Sequence, residues 1–461
     1  MAAAGSSDRV TNVSFITDFV SKYQKGLEME FDHGTSRRKY EYNVKFSSVA
    51  VLLYHTELNK LLMVRQFRPA VFVGRVSRMA ENLGKSLEEI EWEKYDANLG
   101  YTLELCAGII DKDLPIADVA REEVAEECGY AVRTDDLLPI FTSLTGTHQT
   151  GNTDFMFYAE IDESMKISEG GGNLAEGEAI TKLRLFPWKN RMKESFQVFL
   201  TPEEARQMLV PSKNCVLQGP AGVLLAIQWW LHGRSRGSPI TSSNDIYEPI
   251  NTKNLSNFSF KDALYRQVDG YAPRRMFFTL GPMTRSWDLA LAPNNVVILL
   301  FDKASQELIL TQMFRPAAFV GRARKLKENA GKQLSEIGWE SYDVRWSYPL
   351  ELDGCLVEPK DDLFSTATSV AQKLGYRVDV ASLLHIGQFV TGVSQSGNVQ
   401  DVFFSTVNGP STKPLDTESD VIERRFHVSV LPQLFQQRSL GPPTTYFAIQ
   451  WFLENQSLVN T

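Results

Sequence analysis

The sequence predicts a mixed α/β (α+β) protein built from two tandem copies of one domain. Three observations predict it: a nine-residue string that recurs 247 residues later, short β-branched runs bounded by turn residues, and an apolar run at helical spacing between a proline and a glycine.

The repeat is the firmest of the three. Phe67-Arg68-Pro69-Ala70-Val71-Phe72-Val73-Gly74-Arg75 returns as Phe314-Arg315-Pro316-Ala317-Ala318-Phe319-Val320-Gly321-Arg322, with eight of nine residues identical. The same offset carries Gly84-Lys85 onto Gly331-Lys332, Trp92-Glu93 onto Trp339-Glu340 and Leu103-Glu104-Leu105 onto Leu350-Glu351-Leu352. At an offset of 246, Gly129-Tyr130 meets Gly375-Tyr376 and Thr145-Gly146 meets Thr391-Gly392; Ala226-Ile227-Gln228-Trp229 reappears as Ala448-Ile449-Gln450-Trp451. Between the copies, His232 to Pro239 and a polar run to about Phe258 have a linker's composition. The expected division is a first domain over 1–235, a linker over 236–260 and a second domain over 261–461.

Within a copy, Val49–Tyr54 and Lys60–Val64 read as strands separated by a turn. Tyr101–Cys106 reads as a further strand. Pro115 suits the first turn of a helix that runs to Cys128, with Ile116, Val119, Ala120 and Val124 at helical spacing and Gly129 as its stop. Trp229 and its neighbours suggest an amphipathic helix closing the copy.

Bulk properties narrow the function. With 461 residues each copy can bury its own core. A net charge of −8 with no basic stripe argues against nucleic acid, though not against a small phosphate ligand held through cations on carboxylates. Four cysteines without CxxC spacing indicate a reducing compartment, and no apolar run approaches the length of a membrane span. The first residues are small and polar with no apolar signal region, so the expected location is cytoplasmic.

The chemistry concentrates in the helix before Gly129. Glu123, Glu126 and Glu127 fall at spacings of three and four, which on a regular helix puts all three carboxylates on one face. Such crowding is unfavourable by a few tenths of a kcal/mol per pair, roughly, unless hard oxygen ligands take up Mg²⁺ or Mn²⁺. The competing reading is a solvated acidic face.

Framed by Gly108 and by Gly129-Tyr130, this stretch resembles the box of the Nudix hydrolases, Gly-x5-Glu-x7-Arg-Glu-U-x-Glu-Glu-x-Gly-U, where U is apolar or aromatic. Counted from Gly108, the second half of the box falls on Glu123, Val124, Glu126, Glu127, Gly129 and Tyr130. Two positions depart: Leu114 stands for the first Glu, and Glu122 for the Arg, with Arg121 one residue early. Val64 to Ala70 together with Leu103 to Gly108 resemble the ADP-sugar and UDP-sugar diphosphatase branch, over nearly all of 15–232 and more weakly over about 262–455.

The resemblance implies tandem α/β/α sandwich domains with N-terminal antiparallel extensions. It implies a divalent metal, Mg²⁺ or Mn²⁺, on Glu123, Glu126, Glu127 and the backbone of Ala107. Arg68 would clamp phosphate, and Glu104 would hold the nucleoside or brace Arg68. Gly146 and its loop would meet the sugar. Glu176 or Glu178, in a Gly-rich loop, would be the general base, with Glu178 favoured. The expected reaction is hydrolysis of a nucleotide sugar at its pyrophosphate, UDP-glucose first and ADP-ribose second.

The second copy reads as disarmed, because Ser369, Gln372 and Lys373 replace the carboxylate trio and Cys355 replaces the box glycine. Dimeric relatives in this branch share N-terminal strands, so the spare copy is expected to act as an internal partner, an arrangement resembling a pseudo-dimer. Arg285 and Trp287 would then complete the first pocket. A non-catalytic nucleotide-sugar sensor and an interaction scaffold are the alternatives.

Overall fold

The computed structural model describes residues 9–17, 19–21, 25–171, 195–210, 219–232, 254–262, 272–281, 283–409, 421–435 and 441–459. In the first copy these form β1 (Val10–Ile16), β2 (Lys25–His33), β3 (Ser36–Val44), β4 (Ser48–His55), β5 (Lys60–Phe67), α1 (Pro69–Ser77), β6 (Tyr101–Glu104), β7 (Cys106–Ile109), α2 (Ile116–Glu123), β8 (Leu138–Thr145), β9 (Asn152–Ile161), β10 (Ser195–Leu200), α3 (Pro202–Met208) and α4 (Ala221–Leu231). The second repeats that order as β11 (Leu255–Asp262), β12 (Ala272–Leu280), β13 (Met283–Leu291), β14 (Asn294–Asp302), β15 (Glu307–Met313), α5 (Pro316–Arg324), β16 (Leu350–Glu351), β17 (Asp353–Val357), α6 (Leu363–Lys373), β18 (Leu384–Thr391), β19 (Asn398–Val407), β20 (Val421–His427), α7 (Leu431–Leu434), α8 (Pro443–Glu454) and α9 (Gln456–Val459).

Each copy carries a mixed sheet, ordered β10-β5-β4-β9-β8 in the first and β16-β15-β14-β19-β18 in the second. The central β4–β9 and β14–β19 pairs are parallel. Side-chain alternation explains why these strands are apolar at nearly every position. Val49, Val51 and Leu53 pack under α2, while Leu52 on the opposite face joins α4. Both sheet faces are covered, giving an α/β/α sandwich.

α4 departs from the amphipathic expectation. Val223 to Trp230 are all buried, because the helix lies between its own sheet and α8 of the other copy in one shared core. Gln228 Nε2 donates to Glu454 Oε2 across that contact at 3.0 Å.

The N-terminal strands cross over. β1 of the first copy pairs with β12 of the second, Val10 opposite Leu280, and β11 pairs with β2, Leu255 opposite His33. Both pairings bulge at the same place, with Asn12 and Asn257 at φ 52°. β11 therefore begins inside the segment whose composition reads as linker. Polar residues are needed there because one face of this edge strand stays in solvent.

The repeated glycines mark the closest approach of the copies. A Cβ on Gly74 would stand 2.6 Å from Gly397 O, and one on Gly321 would stand 2.1 Å from Gly151 O. Each copy's α1-type helix thus receives the β8–β9-type loop of the other.

Candidate active site

The box begins on β7. Val49 pairs with Gly108 and Ala50 with Ala107, while Ile110 N–H donates to Ser47 O at 2.8 Å. In an antiparallel ladder, hydrogen-bonded and wide pairs alternate. With 47/110 hydrogen-bonded, 50/107 is a wide pair, so the N–H and C=O of Ala107 both point away from β4. The N–H meets the carboxylate of Glu127, donating to Oε2 at 2.9 Å. The Ala107 carbonyl faces the same side.

The helix does not continue regularly through the acidic run. After Glu123 it widens into a π turn over Val124–Cys128, closed by Gly129 at φ 73°. Single π turns inside helices recur at functional sites. A Cβ at Gly129 would lie 2.3 Å from Ser168 O, so glycine is required there both by φ and by space. The wider turn alters the angular step between side chains. Glu127 turns inward, 3% exposed, whereas Glu126 is exposed. Three carboxylates on one face is therefore corrected to two facing the strand and one facing solvent.

Glu123 explains the box glycine. A Cβ on Gly108 would fall 1.9 Å from Glu123 Oε1, so that carboxylate lies directly over the Gly108 backbone. Both carboxylates act on Cys106: burial, a hydrogen bond with Cys128 and the charges of Glu127 and Glu123 push its thiol well above the usual range. Lys112 supplies a cation beside the box, its ammonium 3.0 Å from Glu122 Oε2 and within the field of Glu126 and Glu123. Sequence spacing gave no sign of this contact. Leu114 is 40% exposed, and nothing in the structure explains an apolar residue there.

One strand step away, Arg68 grips Glu104 bidentately, Nε to Oε1 at 2.8 Å and Nη2 to Oε2 at 2.7 Å. Thr102 adds a hydroxyl donor to Oε1 at 2.5 Å. Burial works to raise the Glu104 pKa, but the Arg68 charge and these hydrogen bonds outweigh it and hold the carboxyl below its ordinary value. Arg68 therefore stands fixed rather than freely swinging.

The second copy walls this region. β13 places Arg285, Trp287 and Leu289 on one face, and Trp287 and Leu289 pack with Phe67, Phe72 and Val10 of the first copy. Trp287 Nε1 donates to Ser394 O at 2.6 Å, which fixes the loop 392–397 against α1. Ser394 was not anticipated; the signal was the repeated Thr-Gly pair at 391–392.

Gly146 goes the other way. Its loop crosses to α5, where Tyr40 donates to His148 O and His148 lies within the field of Arg315 and Glu351. The structure thus brings the Gly146 loop beside α5, Arg315 and Glu351 rather than to Arg68, because the β8–β9 loops exchange along with the strands. Glu176 and Glu178 lie outside the described residues.

Two carboxylates and an outward-turned carbonyl at Ala107 form a hard oxygen donor set suited to a divalent cation. Among the described residues no three His, Cys, Asp or Glu side chains cluster closely enough to hold an ion alone. The set fits a metal completed by the Ala107 backbone and further oxygen donors.

In the second copy, Cys355 pairs with Val296 as Gly108 does with Val49. α6 runs as a regular helix to Lys373, and the Ser369 hydroxyl turns back onto Ser365 O at 2.9 Å. The Arg–Glu pair survives, Arg315 Nε and Nη2 reaching Glu351 Oε2 at 2.9 and 2.7 Å.

No family model matches the chain. The uridine diphosphate glucose pyrophosphatase of Bos taurus is 32% identical over 183 residues, 39% of this chain and 82% of that protein. Its Mus musculus counterpart is 30% identical over 170 residues, 36% of this chain and 77% of that protein. A GDP-mannose pyrophosphatase of Cronobacter sakazakii is 30% identical over 150 residues, 32% of this chain and 64% of its own. Among solved structures, an ADP compounds hydrolase aligns at 11% identity and TM-score 0.31, over 42% of this chain and 92% of that one. Among the described residues no helix is long and apolar enough to cross a membrane. With relatives matched at this identity over most of their length, the chain belongs to the Nudix hydrolases, in the nucleotide-sugar pyrophosphatase branch.

Proposed function

We propose that the first copy hydrolyses the pyrophosphate of a nucleotide sugar, with UDP-glucose the first choice of substrate and ADP-ribose the second, yielding a nucleoside monophosphate and a sugar 1-phosphate. The observation that carries this reading is the buried Glu127 carboxylate held by Ala107 N–H, next to a Glu123 carboxylate lying over Gly108. Burying such charge is costly unless it is compensated. Glu123, Glu127 and the Ala107 carbonyl would hold Mg²⁺ or Mn²⁺, with exposed Glu126 as an outer ligand. A bound divalent ion supplies Lewis-acid polarisation of the phosphoryl oxygens. Arg68, oriented by Glu104, is the proposed guanidinium partner of the phosphate. Glu178 or Glu176 is the proposed acceptor of the water proton.

The second copy serves as an internal partner. The support is the strand exchange and the seating of Trp287 and the 392–397 loop on α1, with Arg285 on the same strand face as Trp287. The domain division of 1–235, 236–260 and 261–461 belongs to this proposal, with the second copy's first strand starting at Leu255. Purified full-length protein assayed with Mg²⁺ or Mn²⁺ against a panel of nucleotide sugars tests the reading. Turnover that disappears with chelator and in Glu127→Gln is expected; turnover unchanged in that variant rules out the site.

A further inference from the structure

We propose that the pocket of the second copy binds a nucleoside diphosphate without a metal and without cleaving it. The pocket gathers Arg315 and Glu351 from its own copy and His148 from the other. Arg315–Glu351 repeats the Arg68–Glu104 pair in the equivalent place, with both Arg315 contacts on one carboxylate oxygen, so a guanidinium stands where a phosphate would be held.

Glu351 carries the second observation. In the first copy, Thr102 occupies Oε1 of Glu104. The corresponding residue here is Pro349, which has no donor, and both Arg315 contacts go to Oε2. Glu351 is 5% exposed, and its Oε1 has no hydrogen-bond donor among the described residues. A buried carboxylate oxygen left without a donor is unfavourable, and an N–H or O–H of a ligand satisfies it. A base imide or a ribose hydroxyl supplies that donor as a neutral group, whereas the P–OH of inorganic diphosphate would bring further negative charge against the carboxylate. His148 keeps exposed surface, and its ring lies within the fields of Arg315 and Glu351. Desolvation, and then Arg315, push its pKa down to about 4, leaving a neutral ring that both donates and accepts.

The charge of the pocket has changed in the direction this ligand requires. Glu123, Glu126 and Glu127 repel a diphosphate unless a cation intervenes. Their replacements Ser369, Gln372 and Lys373 remove three negative charges and add a positive one. Lys373 acts on Asp353 and Cys355, and Asp353 also feels Arg315 and Glu351, so Lys373 belongs to the same cluster. Asp353, whose pKa burial raises, and Asp361 are acids that also act on this cluster. Two cations and no metal-ligating trio suit a diphosphate directly.

Calorimetry of full-length protein with UDP in excess EDTA tests the inference. One UDP per chain is expected. Affinity should fall about tenfold or more in Lys373→Glu, a substitution at an exposed position, and likewise in Arg315→Ala, while Arg68→Ala leaves metal-free binding in place. Inorganic diphosphate should bind at least about tenfold more weakly than UDP, since it has neither base nor ribose to offer Glu351. No binding in EDTA, binding indifferent to Lys373→Glu, or binding abolished by Arg68→Ala overturns the proposal. Hydrolysis measured separately in Mg²⁺ reports on the first copy alone, so the two readings fail independently.

Discussion

The two boxes of this chain, β7–α2 and β17–α6, occupy equivalent places in their sheets and differ in a coordinated way. In the first, a glycine at 108 makes room for the Glu123 carboxylate; in the second, Cys355 fills that space and a short serine stands opposite at 369. The first helix opens into a π turn that buries Glu127, while the second stays regular and leaves Lys373 in solvent. Both copies keep an Arg–Glu pair and the interface glycines. Interface and Arg–Glu pair therefore persist under constraints separate from those on the carboxylates. The second copy has lost its acids and kept its shape.

The most severe way to break the comparison is to remove the second copy. Deleting 240–461 strips β12 from β1 and β11 from β2 and bares the apolar faces of α1 and α4. The expected product is insoluble, or soluble only as a strand-exchanged dimer, with no monomeric activity. A monomeric fragment of full affinity and rate, by light scattering and assay, refutes the internal-partner role. Next in size, Glu127→Gln should lower kcat about 10³-fold, whereas Ser369→Ala in the second box should stay within about twofold. Gly108→Ala is a sharper probe, since the three atoms its methyl meets first all belong to the Glu123 carboxylate. A loss of about 10²-fold is expected with little change in Tm, and Cys355→Gly should leave turnover unaltered.

Much of this was legible beforehand, for physical reasons. The repeat, the strands under α2 and the end of the acidic helix at Gly129 follow from periodicity and turn chemistry, which are local. The Arg68–Glu104 pair was legible as one of two roles for Glu104. What escaped was non-local. Spacing on an ideal helix could not reveal the π turn that separates Glu126 from Glu127. The destination of the Gly146 loop depends on which copy's helix it crosses, and no pattern within one copy encodes that. The apolar α4 was misjudged because its second face is covered by a helix more than two hundred residues away.

The smallest expected effect lies where the copies meet. Lys325 donates to Gly151 O and Asn152 Oδ1, both at 3.3 Å, in the place where Arg78 donates to Gly397 O. Burial and then Arg324 hold its pKa down to about 7, with Asp154 pulling the other way. An unfolded lysine titrates near 10.4, roughly. Between these values the unfolded chain holds a proton the fold has released, so this group's contribution to stability rises with pH; below 7 its penalty is fully present. The Tm of Lys325→Met relative to wild type should be most favourable at or below pH 7 and should shrink by a few degrees, roughly, toward pH 10. A difference independent of pH contradicts the assignment.

The pairing of Val10 with Leu280 has a consequence for how the chain is made. A ribosome adding about 5–20 residues per second leaves the first strand waiting roughly 15–50 s before its neighbour emerges. During that interval a nascent chain with a nearly finished first sandwich presents an unpaired strand to every other nascent copy nearby. Crowded polysomes would favour exchange between chains over closure within one, so the yield of correctly closed protein should depend on translation rate and on the holdase chaperones that shield exposed edges.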